Sequence, residues 1–98
     1  MEPRSSWTFF SNHAHVLIAL AQDPSLRLRD LAERVGITER AVAQIVLDLE
    51  AAGALSRERE GRRNLYRVNP QISLRHPVEA HRTVGEILQA VIGNAVRG

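Results

Sequence analysis

The stretch LRDLAERVGITERAVAQIVLDLEAAGALSREREGRRNLYRV, residues 28–68, constrains the fold of this chain more than any other segment. Its apolar positions Leu31, Val35, Ile37, Val42 and Ile45 fall where two short helices crossing at a steep angle must share a small core. Small residues stand where bulk would fail. Ala32 lies where the second helix crosses closely, and Gly36 follows Val35 where a helix end tolerates a left-handed backbone. Thr38 offers a side-chain oxygen to cap a helix opening at Glu39, and Glu39 suits the positive end of that helix. Ala41 occupies the place where a capping box wants Glu or Gln, so the expected cap is plain.

The helix predicted over 39–52 carries an apolar stripe on Val42, Ile45, Val46, Leu49 and Ala52, spaced by three and four. Its outer face is then Glu39, Arg40, Ala43, Gln44 and Leu47. LEAAGAL ends the helix at Gly53, and Ala54 to Glu60 alternates as a strand does. Gly61 to Asn64 reads as a turn, and Leu65 to Val68 returns as a second strand with Tyr66 and Val68 on one face. Pro70 blocks further pairing. A hairpin of this size is marginal alone and must lean on the helices.

The run TERAVAQIVLDLEAAGALSR from Thr38 to Arg57, followed by GRRNLYRV from Gly61 to Val68, resembles the winged-helix transcriptional regulators of the MarR and ArsR type. The resemblance covers roughly residues 9–96. It implies a mainly α fold with a small β-hairpin wing, a winged helix-turn-helix dimerised through terminal helices. One domain over 1–98 would hold a helix-turn-helix at about 29–52, a wing at about 54–69 and a C-terminal dimerisation helix at about 77–96. It further implies that the helix matching Glu39 to Ala52 enters the major groove of DNA, with the tip matching Gly61 to Asn64 on backbone or minor groove. Ala43 and Leu47 depart from the pattern, because polar readers are common at those outer positions.

Charge is distributed in the same sense. Residues 1–56 hold five Arg against seven acidic residues, 57–67 hold five Arg against two Glu, and 68–98 hold three Arg against two Glu, so the positive charge gathers in the hairpin. All thirteen basic residues are Arg. Guanidinium forks suit phosphate oxygens and narrow minor grooves, although a GC-rich genome also encodes Arg by default. The clustering needs its own cause. Glu58 and Glu60 pairing across the hairpin would supply one, yet Arg62 and Arg63 at the tip have no acidic partner in sight, which favours phosphate contact.

Arg40 and Gln44 are the expected base readers, since Arg pairs with guanine and Gln with adenine in the major groove. Thr38, Arg29, Arg62 and Arg63 are expected on phosphates, with Arg57, Arg59 and Asn64 completing the wing's share of a double-stranded DNA interface. Glu39 could accept from cytosine or serve only as cap electrostatics, and Ala43 shares its face. A rival reading keeps the fold and turns the helix face or the wing onto a protein partner, which Ala43 and Leu47 favour and the Arg-rich tip opposes.

The chain has no Cys, which excludes thiolate metal sensing, disulfides and cysteine redox switching. His13 and His15 lie two apart, about 200° round a helix, and His76 and His81 are five apart with Glu79 between, so neither pair suits a metal. No nucleophile elbow, phosphate loop or metal dyad is present, so neither an enzyme nor a cofactor is expected. With no apolar run of membrane length and no secretory pattern, a cytoplasmic protein without a membrane partner is expected.

Towards the N-terminus a helix is predicted over Asn12 to Gln22, capped by Ser11 and stopped before Pro24, with Val16, Leu17 and Leu20 inward. Leu26 to Leu28 would form a short third strand pinning the wing. Trp7, Phe9 and Phe10 read either as a hydrophobic staple and core filler or as a dimer surface or the wall of an effector pocket, for an effector the residues do not identify. A last helix is predicted from His76 as N-cap and Pro77 at N1 towards Ala95, about 30 Å long. His81, Val84, Leu88, Val91 and Ala95 repeat along it at three and four, with Val78, Ile87 and Ile92 alongside. A homodimer burying Trp7, Phe9, Phe10, Val84, Ile87, Leu88, Val91 and Ile92 is the expectation, and folding back onto the first helix of the same chain is the alternative.

Overall fold

A computed structural model describes residues 6–93. Ser11 opens the first helix, α1 (Asn12–Gln22), its hydroxyl oxygen accepting from the Ala14 N–H at 3.3 Å. The chain turns at once. Asp23 accepts from both the N–H and the hydroxyl of Ser25, and those bonds hold its carboxyl below the usual range. The second helix, α2 (Leu28–Val35), begins where the Asp30 carboxylate reaches back to the Arg27 N–H. It ends at Gly36, whose φ of 88° is a conformation that side-chain-bearing residues rarely adopt. The N–H groups of Gly36 and Ile37 both donate to the Ala32 carbonyl, so the turn is closed without outside help.

Thr38 then caps the third helix, α3 (Glu39–Ala51), accepting from the Ala41 N–H at 3.0 Å. That helix closes in a Schellman arrangement: Ala54 N–H donates to Leu49 and Gly53 N–H to Glu50. Val16 and Leu20 of α1, Leu31 of α2 and Val42 of α3 are fully enclosed where the three helices meet.

The hairpin pairs β1 (Leu55–Glu60) with β2 (Arg63–Val68) in antiparallel register from Leu55 opposite Val68 to Glu60 opposite Arg63. Its loop is two residues, Gly61 and Arg62, shorter than the four-residue turn expected over 61–64. Gly61 at φ 62° takes the first loop position, as a type II′ connection requires. Buried Tyr66 fastens the hairpin to the helices, its N–H donating to the Pro24 carbonyl at 3.0 Å.

The third strand expected over Leu26 to Leu28 is absent among the described residues. The Leu26 N–H is bonded back to the Asp23 carbonyl and the Arg27 N–H to the Asp30 carboxylate, and Leu28 already belongs to α2, so the segment is spent on local bonds rather than a ladder.

The last helix is also corrected. It is α4 (Val84–Ile92), not a helix from Pro77, and the part of the expected helix beyond Gly93 lies outside the described residues. His76 and Pro77 open only a turn, in which the Val78 N–H donates to the His76 ring. The backbone of 82–85 is committed elsewhere: Leu74 donates to Arg82, Val84 to Ile72 and Gly85 to Pro70. This antiparallel contact holds 82–83 extended, and a capping box of Thr83 and Glu86 restarts the helix beyond it. The bond from the Thr83 N–H, together with Arg82, holds the Glu86 carboxyl below its ordinary range.

Two residues of the stripe assigned to a partner helix are thereby used at home. Val84 and Leu88 lie buried in this chain's own core, because α4 folds back onto α1. Ile87 and Ile92 are half-buried, and Val91 keeps 47% of its surface exposed. At the other end Trp7 and Phe9 meet edge to face with ring centres 5.0 Å apart, and both are exposed, as is Phe10.

Gly85 is where α4 presses on the 70–74 segment. A Cβ there would stand 2.8 Å from the Pro70 carbonyl oxygen and 2.9 Å from the Pro70 Cβ. Helix propensity alone makes Gly85→Ala stabilising by roughly 1 kcal/mol. The backbone contact reverses that sign, and the expected result is a net loss of about 1–3 kcal/mol. Thermal unfolding checks it, each kcal/mol lowering the midpoint by about 4–8 °C for a chain of this size.

Candidate nucleic-acid interface

Because Val42, Ile45, Val46 and Leu49 are drawn into the core, α3 must turn Glu39, Arg40, Gln44 and Leu47 to solvent. Ala43 lies among them, half-buried. Thr38, Glu39 and Arg40 occupy the start of the helix, and the Thr38 hydroxyl oxygen is already engaged as the cap. Among the described residues Arg40 makes no hydrogen bond or ion pair, so its five donors face outward unspent. Leu47, 54% exposed, extends the same face one turn further on.

Gln44 is held rather than free. Its amide Nε2 donates to Asp48 Oδ1 at 3.0 Å, and Asp48 Oδ2 lies 2.8 Å from His13 Nε2 on α1. The bonds from His13 and then Gln44 keep the Asp48 carboxyl below its ordinary range, with a smaller pull from the Arg75 charge. Asp48 and His13 were not foreseen as part of this face. The four-residue spacing from Gln44 to Asp48 was the available signal.

The wing arginines, alike in sequence, differ in what they hold. Arg57 makes a two-pronged contact with Glu50 near the end of α3, Nε to Oε2 at 3.1 Å and Nη2 to Oε1 at 3.2 Å. Arg59 donates to the Gly61 carbonyl across its own loop, and Arg67 reaches Glu58 at 3.7 Å on the exposed face. Arg63 turns inward and donates to the Ser25 carbonyl, so the expected tip pair is divided. Only Arg62 of this group stands at the tip with no hydrogen bond or ion pair among the described residues. Asn64, half-buried, faces Arg59 across the ladder.

Between the wing tip and the start of α2 lies a cavity of about 310 Å³, walled by Arg27, Arg62, Arg63 and Asn64 over a floor of Leu26 and Tyr66. Arg27 therefore joins the basic surface, while Arg29 is exposed on α2. A second, larger groove of about 710 Å³ runs behind the wing between Leu20, Pro24, Leu65, Val68 and Leu88, with Glu58 and Arg67 at its edge. Trp7, Phe9 and Phe10 do not line it. Among the described residues no helix is long and apolar enough to cross a membrane.

Residues 12–55 match the winged helix-turn-helix DNA-binding family. A comparison with curated protein sequences finds no match. Among solved structures, the PcaV transcriptional regulator from Streptomyces coelicolor aligns at 37% identity over 60% of this chain and 46% of its own, with a TM-score of 0.52. The same regulator in complex with its natural ligand aligns at 29% identity over 96% of this chain and 67% of its own, with a TM-score of 0.57. BpsR from Bordetella bronchiseptica, whose DNA binding is regulated by 6-hydroxynicotinic acid, aligns at 20% identity over 96% of this chain and 62% of its own, with a TM-score of 0.55. The chain spans between about half and two thirds of the length of these regulators. The outward-facing α3, the Arg-tipped hairpin and these likenesses together give the chain a winged helix-turn-helix fold, with residues 12–55 similar to the winged helix-turn-helix DNA-binding family and the chain similar to transcriptional regulators of the MarR type.

Proposed function

We propose that the chain is a sequence-specific regulator of transcription that binds double-stranded DNA as a homodimer, with α3 in the major groove and the wing tip on backbone or minor groove. The observation that carries this reading is the contrast among the arginines. Arg40 on α3 and Arg62 at the tip are exposed and unspent, whereas neighbouring arginines are consumed within the chain. Arg40 has the fork that matches guanine O6 and N7, and Gln44 the amide that matches adenine. Arg62, Arg29 and Arg27 supply charge for phosphates, and Arg63 braces the tip against the Ser25 carbonyl. Site of action on DNA implies the cytoplasm, and no catalytic role is part of the proposal.

A second copy would cover the apolar surface that α4 and the N-terminal segment leave open: Trp7, Phe9, Phe10 and Val91, flanked by Ile87 and Ile92. Val84 and Leu88 are excluded from that surface by their burial. A small-molecule effector belongs to the same proposal, and the apolar groove behind the wing offers the room for one. The protein-interaction reading draws on one observation, the exposure of Leu47 on the outer face of α3.

Selection of bound duplexes from random DNA at stated salt tests the central claim. Arg40→Ala is expected to cost on the order of 1–3 kcal/mol at one position per half-site, with binding to unrelated DNA nearly intact. A uniform loss would move Arg40 to the phosphate set. No loss at all would favour a protein partner.

Arg62→Ala and Arg63→Ala are expected to separate. The first weakens binding to all sequences about equally and flattens the dependence of log affinity on log salt by about one unit. The second loosens the wing, lowering stability by roughly 0.5–1.5 kcal/mol in thermal unfolding. Equal effects on salt dependence would show that Arg63 leaves Ser25 to reach DNA.

Sedimentation at micromolar concentration is expected to give a dimer. Val91→Glu should then give folded monomers that lose tight operator binding, since two recognition helices must meet half-sites about 34 Å apart. Leu88→Glu should instead unfold the chain, because it places a charge in the monomer core.

A further inference from the structure

Gln44, Asp48 and His13 form one hydrogen-bonded line from the outer face of α3 to the first turn of α1. Asp48 sets the polarity of that line. An ionised carboxylate offers acceptors only, so both neighbours must donate to it: His13 through its Nε2–H, Gln44 through its amide nitrogen. A free glutamine can turn either end of its amide towards a base. One tied to a carboxylate by its nitrogen has its oxygen directed away, and turning it over would set two oxygens against each other. Arg75, the other charge that reaches Asp48, attracts the carboxylate without altering its acceptor-only character.

The major groove separates the bases along the same line. Adenine N6 and cytosine N4 present amino hydrogens, whereas guanine O6 and thymine O4 present acceptors. We infer that Asp48, anchored by His13, is a positioning residue that fixes the amide of Gln44 with its oxygen outward, so that this position of α3 selects a base bearing an exocyclic amino group. Adenine is preferred over cytosine, because the second Nε2–H of Gln44 is left for adenine N7. The inference rests on α3 lying in the major groove. It adds to that reading the sign of the preference and two residues that set it without touching DNA.

The test is selection from a randomised duplex pool at physiological salt with the wild type, Gln44→Ala, Asp48→Asn and His13→Ala, followed by titration of single duplexes differing at the position that Gln44→Ala identifies. Wild type should favour adenine, then cytosine, over guanine or thymine there by roughly tenfold. Asp48→Asn can accept from or donate to the amide, which frees Gln44 to turn over. It should reduce the preference to within about threefold while the lost negative charge strengthens binding to every duplex about equally, a change of selectivity that a merely structural role for Asp48 would not produce. His13→Ala, which removes the anchor without altering α3, should erode the preference in the same direction. Replacing the selected adenine by purine, which lacks only the 6-amino group, should weaken wild-type binding and leave Asp48→Asn nearly indifferent.

A full preference retained in Asp48→Asn, or a wild-type preference for guanine or thymine at that position, would overturn the inference while leaving DNA reading by α3 in place. Absence of any sequence preference in the wild type would overturn both.

Discussion

Four fully enclosed side chains, Val16, Leu20, Leu31 and Val42, hold the three helices of this chain in one arrangement, and everything outward of them follows from it. They determine which side of α3 is consumed and therefore which side is offered. Burying three or four branched side chains is worth several kcal/mol in total. No rotation of α3 that withdrew Arg40 or Gln44 from solvent could keep Val42, Ile45 and Leu49 in place. The turn reinforces this geometry, because Gly36 and Ile37 share the Ala32 carbonyl and leave Thr38 as the first residue able to start a new helix. Presentation of the outer face is thus a packing result.

The C-terminal region is secured by a different force. Backbone pairing between 70–74 and 82–85, with Gly85 allowing the closest approach at Pro70, brings α4 back onto α1 and seats Leu88 in the core. This pairing explains where the sequence reading succeeded and where it did not. The helices over 12–22 and 39–51 were legible because each has a single-residue cap, a continuous apolar stripe and a stop signal, all local. Position 83 was legible in principle, since Thr83 and Glu86 spell a capping box, but His76 and Pro77 offered an earlier start with an equally regular stripe behind it. Choosing between them required knowing that the backbone at 82–85 pairs with residues eight to fifteen positions earlier. Periodicity carries no such information. For the same reason Leu88 could not be assigned to a partner or to its own chain, because a stripe says that a face is buried and not against what.

The candidate site was legible to a similar depth. The outward positions of α3 followed from the inward ones, so Arg40 and Gln44 were reachable by counting. The wing was not. Arg57, Arg59, Arg62 and Arg63 are interchangeable as letters, and the differences between them lie in partners at Glu50, Gly61 and Ser25 whose approach depends on the two-residue loop and on how the hairpin docks. Asp48 and His13 were missed because their contact joins elements 35 residues apart.

That division among the arginines bears on how the chain can discriminate one DNA sequence from another. The hairpin concentrates positive charge, but Arg57 is neutralised by Glu50 and Arg67 lies beside Glu58, so part of the cluster stiffens the wing and its junction with α3. Arg59 and Arg63 keep their charge while spending donors on backbone carbonyls, so they contribute to the field without being free to form bidentate contacts. A field of this kind draws in any duplex and carries no sequence information. On the proposed reading, discrimination falls to the short outer row of α3, where Arg40 is unconstrained, Gln44 is tethered and Ala43 and Leu47 are apolar. Under that proposal each half-site would carry only a few determinants, and one tethered amide would discriminate more sharply than one free to turn over, since the tether removes the alternative hydrogen-bonding pattern that would admit the wrong base.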